Sequence, residues 1–196
     1  MPKISEAKKD ERRAAIMDAA QRCFLRNGYQ RTSMADIIAE SGLSAGAIYG
    51  YFTGKQELIR SVAERILDAR RAELESAGMD HPLSPAEIVR MLATGVRAQA
   101  PIPVLIQVWG EATVDPDLRA MVQTVLGRMS ATVAAGLTRW AEQRRHDLAV
   151  PPDEWARTAA PVVLSMLPGF VLQSALIDDF DDDAYLAALS HVLPGG

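Results

Sequence analysis

Residues 28–58 read GYQRTSMADIIAESGLSAGAIYGYFTGKQEL, and the punctuation of this stretch decides the fold. Thr32 or Ser33 is placed to cap a short helix, with Asp36 in its first turn facing the positive end of the helix dipole. That helix ends near Ser41-Gly42, where Gly42 supplies the left-handed turn and Leu43 a plug for the core. Ser44 then caps a further helix carrying Ala47, Ile48, Tyr49 and Phe52. The pattern is helix, tight turn, helix.

Working outward, residues 9–27 repeat Ile16, Ala19, Ala20, Cys23 and Phe24 at helical spacing, and Asn27-Gly28 is the stop. Downstream, Thr53 with Gln56 has the spacing of a capping box for a fourth helix, striped by Leu58, Ile59, Val62, Ala63 and Ile66 and ending near Glu75. Residues 78–82 read as a loop, and Ser84-Pro85-Ala86-Glu87 starts a helix that runs to about Ala100. Pro101 and Pro103 interrupt, and Asp115-Pro116-Asp117 opens a long helix with the stripe Val122, Leu126, Met129, Val133, Leu137 and Trp140. It closes on the basic Arg144-Arg145-His146, the sign that suits a helix C-terminus. After Pro151-Pro152, residues 153–177 form a helix containing two prolines, and the last helix carries Tyr185, Leu186 and Leu189. The expected fold is all-α, with nine helices or ten, a domain of residues 1–54 and a second of 55–196.

Charge is divided unevenly along the chain. The net charge is −4, yet residues 1–55 hold nine Lys and Arg against six Asp and Glu, while the remainder holds twelve against nineteen. A basic end on an acidic body is compatible with one end facing phosphates. The single Cys23 excludes an internal disulfide framework, and the basic N-terminus lacks a secretory apolar stretch, so the expected compartment is the cytoplasm. Residues 158–177 carry no charge and are long enough to cross a bilayer, but they include Pro161, Ser165, Pro168, Gly169, Gln173 and Ser174 and run into Asp178 and Asp179. The preferred reading is no membrane span but a helix buried on nearly all sides, in a bundle core or a subunit interface.

Catalysis finds no support. His81, His146 and His191 are scattered, and no nucleophile with a base is assembled by spacing. Glycine-rich phosphate loops and paired cysteines are absent, so neither cofactor nor metal is expected. The acids Asp178, Asp179, Asp181, Asp182 and Asp183 read as a solvated, helix-capping turn rather than a cation site.

The residues at the turn fit another use. Ser44, Ala45 and Gly46 leave the start of a helix small enough to approach base edges, Tyr49 and Tyr51 offer phenols to a phosphate backbone, and Lys55 stands beside a helix N-terminus. Two plainer roles compete: Thr32 and Ser33 as caps alone, and Tyr49 as helix-packing core.

From Gly28 through Leu58 the sequence resembles the DNA-binding domain of the TetR family of transcriptional regulators, the likeness extending over residues 9–60. The resemblance implies a three-helix N-terminal domain that reads operator DNA, followed by a helical ligand-sensing and dimerisation domain. It implies phosphate contacts for Arg31, Thr32, Ser33, Tyr49 and Lys55, with Ser44, Ala45, Gly46 and Tyr51 completing the DNA surface. Ala45 and Gly50 depart from the larger polar or basic residues common in the family, so direct base readout is expected to be thin, with Ala45 against a thymine methyl and DNA shape sharing the specificity. Ile38 stands where alanine is more frequent.

Weaker likenesses follow at Trp109-Gly110-Glu111-Ala112, at Asp115 through Arg119, and at Gly169 through Gln173. They imply a homodimer formed by the last two helices and a largely apolar small-molecule effector, for which Met91, Trp109, Met121, Met129, Met166 and Phe170 are candidate lining residues. The alternative is a dimeric helix-turn-helix protein that takes no small molecule.

Overall fold

The computed structural model describes residues 6–99 and 102–194, and the described residues contain no strand. The helices are α1 (Glu6–Arg31), α2 (Met34–Ser41), α3 (Ala45–Tyr49), α4 (Lys55–Asp80), α5 (Pro85–Gln99), α6 (Ile102–Ala112), α7 (Pro116–Glu142), α8 (Pro152–Leu176) and α9 (Asp182–Val192), with a 3₁₀ turn at Arg145–Asp147. Ala100 and Pro101, where an interruption is expected, lie outside the described residues; Pro103 sits in the first turn of α6. Two compact units result, the first made of residues up to Arg65 with Pro103–Met121, the second of Ile66–Ile102 with residues from Val122 onward.

In the first unit the helical spacing of α1 turns Ile16, Ala19, Ala20, Cys23 and Phe24 inward, where they meet Ile37, Ile48, Phe52 and Leu58 with almost no exposure. Burying each of the larger side chains contributes about 2 kcal/mol relative to leaving it in water. Gly28 breaks α1 with φ 75° and ψ 167°, a conformation few L residues adopt, so the stop expected at Asn27-Gly28 is a sharp change of direction inside a span that hydrogen bonding continues to Arg31. The segment from α6 into α7 belongs to this unit: Gln107 Oε1 accepts a hydrogen bond from the Tyr29 backbone N–H at 2.8 Å. A methyl group added at Gly28 would meet the same Gln107 side chain at 2.6 Å.

The start of α4 differs from expectation. Glu57, not Gln56, reaches back to accept from the Thr53 N–H at 2.7 Å and hydroxyl at 2.8 Å, while the Gln56 amide donates to Asp115 Oδ2 at 3.1 Å. The helix also runs past Glu75 to Asp80, through the expected loop glycine. Gly78 is buried beneath the guanidinium of Arg139, where an added Cβ would collide with its Nη2 at 2.5 Å.

In the second unit α5 packs against α8 and α9. Its own start is the expected box, with Ser84 N–H donating to Glu87 Oε2 at 2.7 Å and Glu87 N–H to Ser84 Oγ at 3.3 Å. Phe170 of α8 packs with Phe180 and with Tyr185 of α9 at centroid distances of 6.2 and 5.4 Å, and the Tyr185 hydroxyl donates to the Met166 carbonyl. Trp140 and Trp155 stack at 5.4 Å, with Arg144 over the Trp140 ring.

Helix α8 is not buried on nearly all sides by its own chain. It has the length and composition to cross a membrane, yet within the chain only 28% of its most apolar window is buried. Val162, Leu172 and Leu176, with Ile177 just beyond, lie exposed along it.

Candidate nucleic-acid interface

The interface is built from caps upward. Ser33 Oγ accepts from Asp36 N–H at 3.2 Å, while Asp36 Oδ2 accepts from the Ser33 N–H and hydroxyl at 2.8 and 2.7 Å, a closed capping box that fixes the entry to α2. Those bonds to the ionised form hold the Asp36 carboxyl below the usual carboxylate range. Gly42 ends α2 in the left-handed conformation (φ 66°), and Ser44 Oγ accepts from Ala47 N–H at 3.3 Å to begin α3. Both caps are exposed, so the polar ends of α2 and α3 face solvent.

On this frame Ser44, Ala45 and Gly46 are exposed, and nothing lies within 4 Å of where a Gly46 side chain would begin. The first turn of α3 is therefore a bare, small-residue end that an incoming groove wall can touch. Tyr49 is 51% exposed, which excludes the core reading for it; Tyr51 is half-buried. Arg31 is exposed, with Nε donating to the Asn27 carbonyl at 3.1 Å.

Thr32 and Lys55, both expected at phosphates, make hydrogen bonds inside the protein. Thr32 is 1% exposed, and its hydroxyl donates to the Gly28 carbonyl at 2.7 Å and the Cys23 carbonyl at 3.2 Å, knitting the end of α1 to the start of α2. The hydroxyl is consumed inside the protein. Lys55 Nζ donates to the carbonyls of Tyr29 and Gln30 at 3.0 and 3.2 Å and lies 4.5 Å from the Tyr29 ring centroid. An ammonium has three N–H groups, so one is left to face outward. Burial lowers the Lys55 pKa, with Glu111 opposing. Tyr29 beneath it is pushed up to about 12 by burial, with the Asp115 and Glu111 carboxylates adding to the shift.

Other cations of α1 are engaged within the protein. Glu40 on α2 takes Arg22 at 2.7 Å and Arg26 at 2.6 Å, which holds α1 against α2 and keeps the Glu40 carboxyl low. These pairs are exposed on the arginine side and contribute modestly to stability.

The six residues expected to line an effector site belong to both units. Trp109 and Met121 fall in the first unit, and Met91, Met129, Met166 and Phe170 in the second. Phe170 is fully buried in its aromatic cluster, and Met129 is buried in the stripe of α7. A cavity of about 50 Å³ in the second unit is lined by the apolar Leu74, Leu83, Ile88 and Ala135, by Thr132 and Gly136, and by the charged Glu75 and Arg139. Among the described residues no group of three His, Cys, Asp or Glu is arranged to hold a metal ion. Sequence reasoning missed Arg70, which is 5% exposed on the inward face of α4 between Leu67 and Leu74. Its signal was available, since it is a lone charge one turn from each of two buried leucines.

Comparison with known proteins agrees with this geometry. The sequence profile described as bacterial regulatory proteins, tetR family, matches residues 16–62, the stretch that carries the capped helix-turn-helix. The HTH-type transcriptional repressor BepR of Brucella suis biovar 1 is 32% identical over 181 residues, covering 85% of this chain and 82% of that protein. The uncharacterised HTH-type regulator YfiR of Bacillus subtilis is 38% identical over 76 residues, 39% of this chain and 37% of its own length. Among solved structures, the regulator FadR of Bacillus subtilis in complex with stearoyl-CoA superposes with a TM-score of 0.69 at 17% identity, covering 90% of this chain and 96% of that one, a likeness of fold.

Proposed function

The chain belongs to the TetR family of bacterial regulatory proteins and is a DNA-binding transcriptional regulator, and from that premise we propose that it is a homodimeric repressor released from a palindromic operator by a small, largely apolar effector. The observation that carries the DNA-binding part is the exposed first turn of α3, where Ser44, Ala45 and Gly46 stand clear beside the exposed Tyr49 while the capping box of Ser33 and Asp36 holds α2 in place. Two such ends one duplex turn apart would enter successive major grooves. Arg31, Ser33, Tyr49, Tyr51 and the remaining N–H of Lys55 are assigned to the backbone, and Ala45 to a base edge.

Dimerisation is assigned to α8 and α9. Val162, Leu172, Leu176, Ile177 and Val192 expose an apolar surface that one chain leaves uncovered, and the absence of charge from residues 158–177 suits a symmetric helix-helix contact. This reading, rather than insertion in a membrane, places the protein in the cytoplasm with its DNA. No catalytic role is assigned.

Effector binding is assigned to the second unit, with Met91, Met129, Met166 and Phe170 retained as lining; Trp109 and Met121 pack with the first unit. Support comes from the BepR repressor and from a FadR that holds stearoyl-CoA. Helix α4 passes from Lys55 in the first unit to Asp80 in the second, so a ligand that shifts its C-terminal half changes the population of DNA-competent dimers.

The test is selection of a binding site from random duplex DNA with the purified protein, followed by footprinting. A palindrome protected over two half-sites one helical turn apart is expected, with affinity falling steeply as salt rises. Enrichment of no sequence, or protection of a single half-site by a monomer, would overturn the reading. Compounds that raise the melting temperature and release the selected duplex identify the effector; release by none of a broad apolar library favours the ligand-free alternative.

A further inference from the structure

Arg70 is the one buried cation in the apolar interior of the second unit among the described residues, and its arrangement is unusual. Both Nε and Nη2 are enclosed and make no hydrogen bond. These two nitrogens lie on one edge of the guanidinium and form the parallel fork that takes the two oxygens of a carboxylate. The opposite side of the group is committed to packing, since a Cβ placed at Gly95 of α5 would collide with Nη1 and stand 2.6 Å from Cδ. Glycine at 95 is thus what lets the side chain lie against α5.

Glu73 does not resolve the imbalance. Its Oε1 comes to 2.6 Å from Nη2, but without the alignment of a hydrogen bond, and its own side chain is 48% exposed. A half-solvated carboxylate one turn away neutralises charge and can leave. A desolvated guanidinium lacking hydrogen bonds on its fork edge is costly, and a ligand that supplied the missing acceptors would relieve that cost. A second feature lies one turn further along α4: Leu74 forms a wall of the apolar cavity shared with Leu83, Ile88 and Ala135.

We propose that Arg70 is the anion-binding anchor of the effector site, and that the effector is an amphiphilic carboxylic acid. Its carboxylate pairs side-on with Nε–H and Nη2–H, Glu73 swings into solvent, and its apolar body enters between α4, α5 and α7 beside Leu74, Ile88 and Ala135. This deepens the effector-released reading and rests on it. Because Arg70 lies on α4, the ligand's charge is captured on the helix that also begins with Lys55.

The experiment uses the full-length protein with matched probes, octanoate and 4-phenylbutyrate against their primary amides, by titration calorimetry and thermal shift. The acids are expected to raise the melting temperature and to bind at least about tenfold tighter than the amides, the loss of a charged hydrogen bond. Arg70→Met is expected to bring that ratio close to one while melting at or above wild type, because a desolvated guanidinium whose fork edge lacks hydrogen bonds has been replaced by an apolar side chain. Arg70→Lys, which keeps the charge without the fork, should lose most of the preference, and Glu73→Gln, which removes a competitor, should tighten acid binding.

Equal binding of acids and amides, binding of neither acid, or an Arg70→Met protein that melts well below wild type would each overturn the proposal, the last by marking the guanidinium as structural. If the amides instead release the selected operator, the effector-released regulator stands and only the anionic anchor falls.

Discussion

Replacing Thr32 by Val separates a structural from a DNA-contacting role at the entry to the helix-turn-helix. Thr32 is 1% exposed, and its hydroxyl serves the Gly28 carbonyl at 2.7 Å and, more weakly, the Cys23 carbonyl at 3.2 Å. Val fills nearly the same space but cannot donate, so a buried carbonyl at the end of α1 is left without its partner, a loss of about 1–2 kcal/mol. For a chain of this size each kcal/mol lowers the melting temperature by roughly 2–4 °C, so a drop of roughly 2–8 °C is expected. Thr32→Ser, which keeps the donor, should recover most of it. The assay is thermal and urea unfolding by circular dichroism, paired with operator titration at a temperature where both proteins are fully folded. Operator affinity of the folded Thr32→Val protein should stay within about threefold of wild type, because the hydroxyl never reaches the surface. A variant that melts like wild type but binds operator about tenfold or more weakly would refute this reasoning and return the hydroxyl to a phosphate.

Four further outcomes follow from the same geometry. Lys55→Met should lower both the melting temperature and the slope of log affinity against log salt, the latter by about one per protomer, because one N–H faces outward while the others hold the carbonyls of Tyr29 and Gln30; an unchanged slope would confine Lys55 to the structural part. Gly28→Ala should destabilise, since φ 75° is strained for alanine and the new methyl meets Gln107; Gly28→Ala with Gln107→Ala should recover the steric part, and a melting curve identical to wild type would contradict it. Asp36, Glu40 and Glu57 have carboxyl pKa values below their ordinary range, so their contribution is complete above the unfolded value of about 4 and is lost as pH falls through the lowered folded values. The melting temperature should therefore fall as pH drops below about 4, less steeply in Asp36→Asn, and a flat profile there would count against these bonds. Val162→Glu with Leu176→Glu should convert a dimer to a folded monomer in sedimentation at micromolar concentration, whereas an unchanged dimer would place the interface elsewhere.

What was legible in the sequence is what short-range chemistry controls. Ser33, Gly42 and Ser44 announce α2 and α3 because a cap acts on the two or three residues beside it. The Thr53 cap was misassigned to Gln56 because Gly54 separates Thr53 from the first residue of α4, so the side chain that reaches back stands four residues on, at Glu57. Gly78 read as a loop because glycine signals a turn when nothing else is known, whereas its use is to admit Arg139 from α7. The candidate effector-lining residues come from a family likeness, and no local rule in the sequence says that Trp109 and Met121 belong to one compact unit and Met91, Met129, Met166 and Phe170 to the other. An apolar helix such as α8 looks the same in sequence whether its partner is its own chain or a second one, which is why the sequence leaves a bundle core and a subunit interface both open.

The membership of Pro103–Met121 in the first unit bears on how this protein is cut and recombined. Gln107 and Asp115, separated from the head by a helix and a half of sequence, hold the Tyr29 backbone and Gln56. A reading head excised at residue 65 would therefore carry an open seam where α6 belongs. Grafting the DNA specificity of one relative onto the sensor of another calls for three splice junctions, after residues 65, 102 and 121, with the distant strap transplanted alongside the head it fastens.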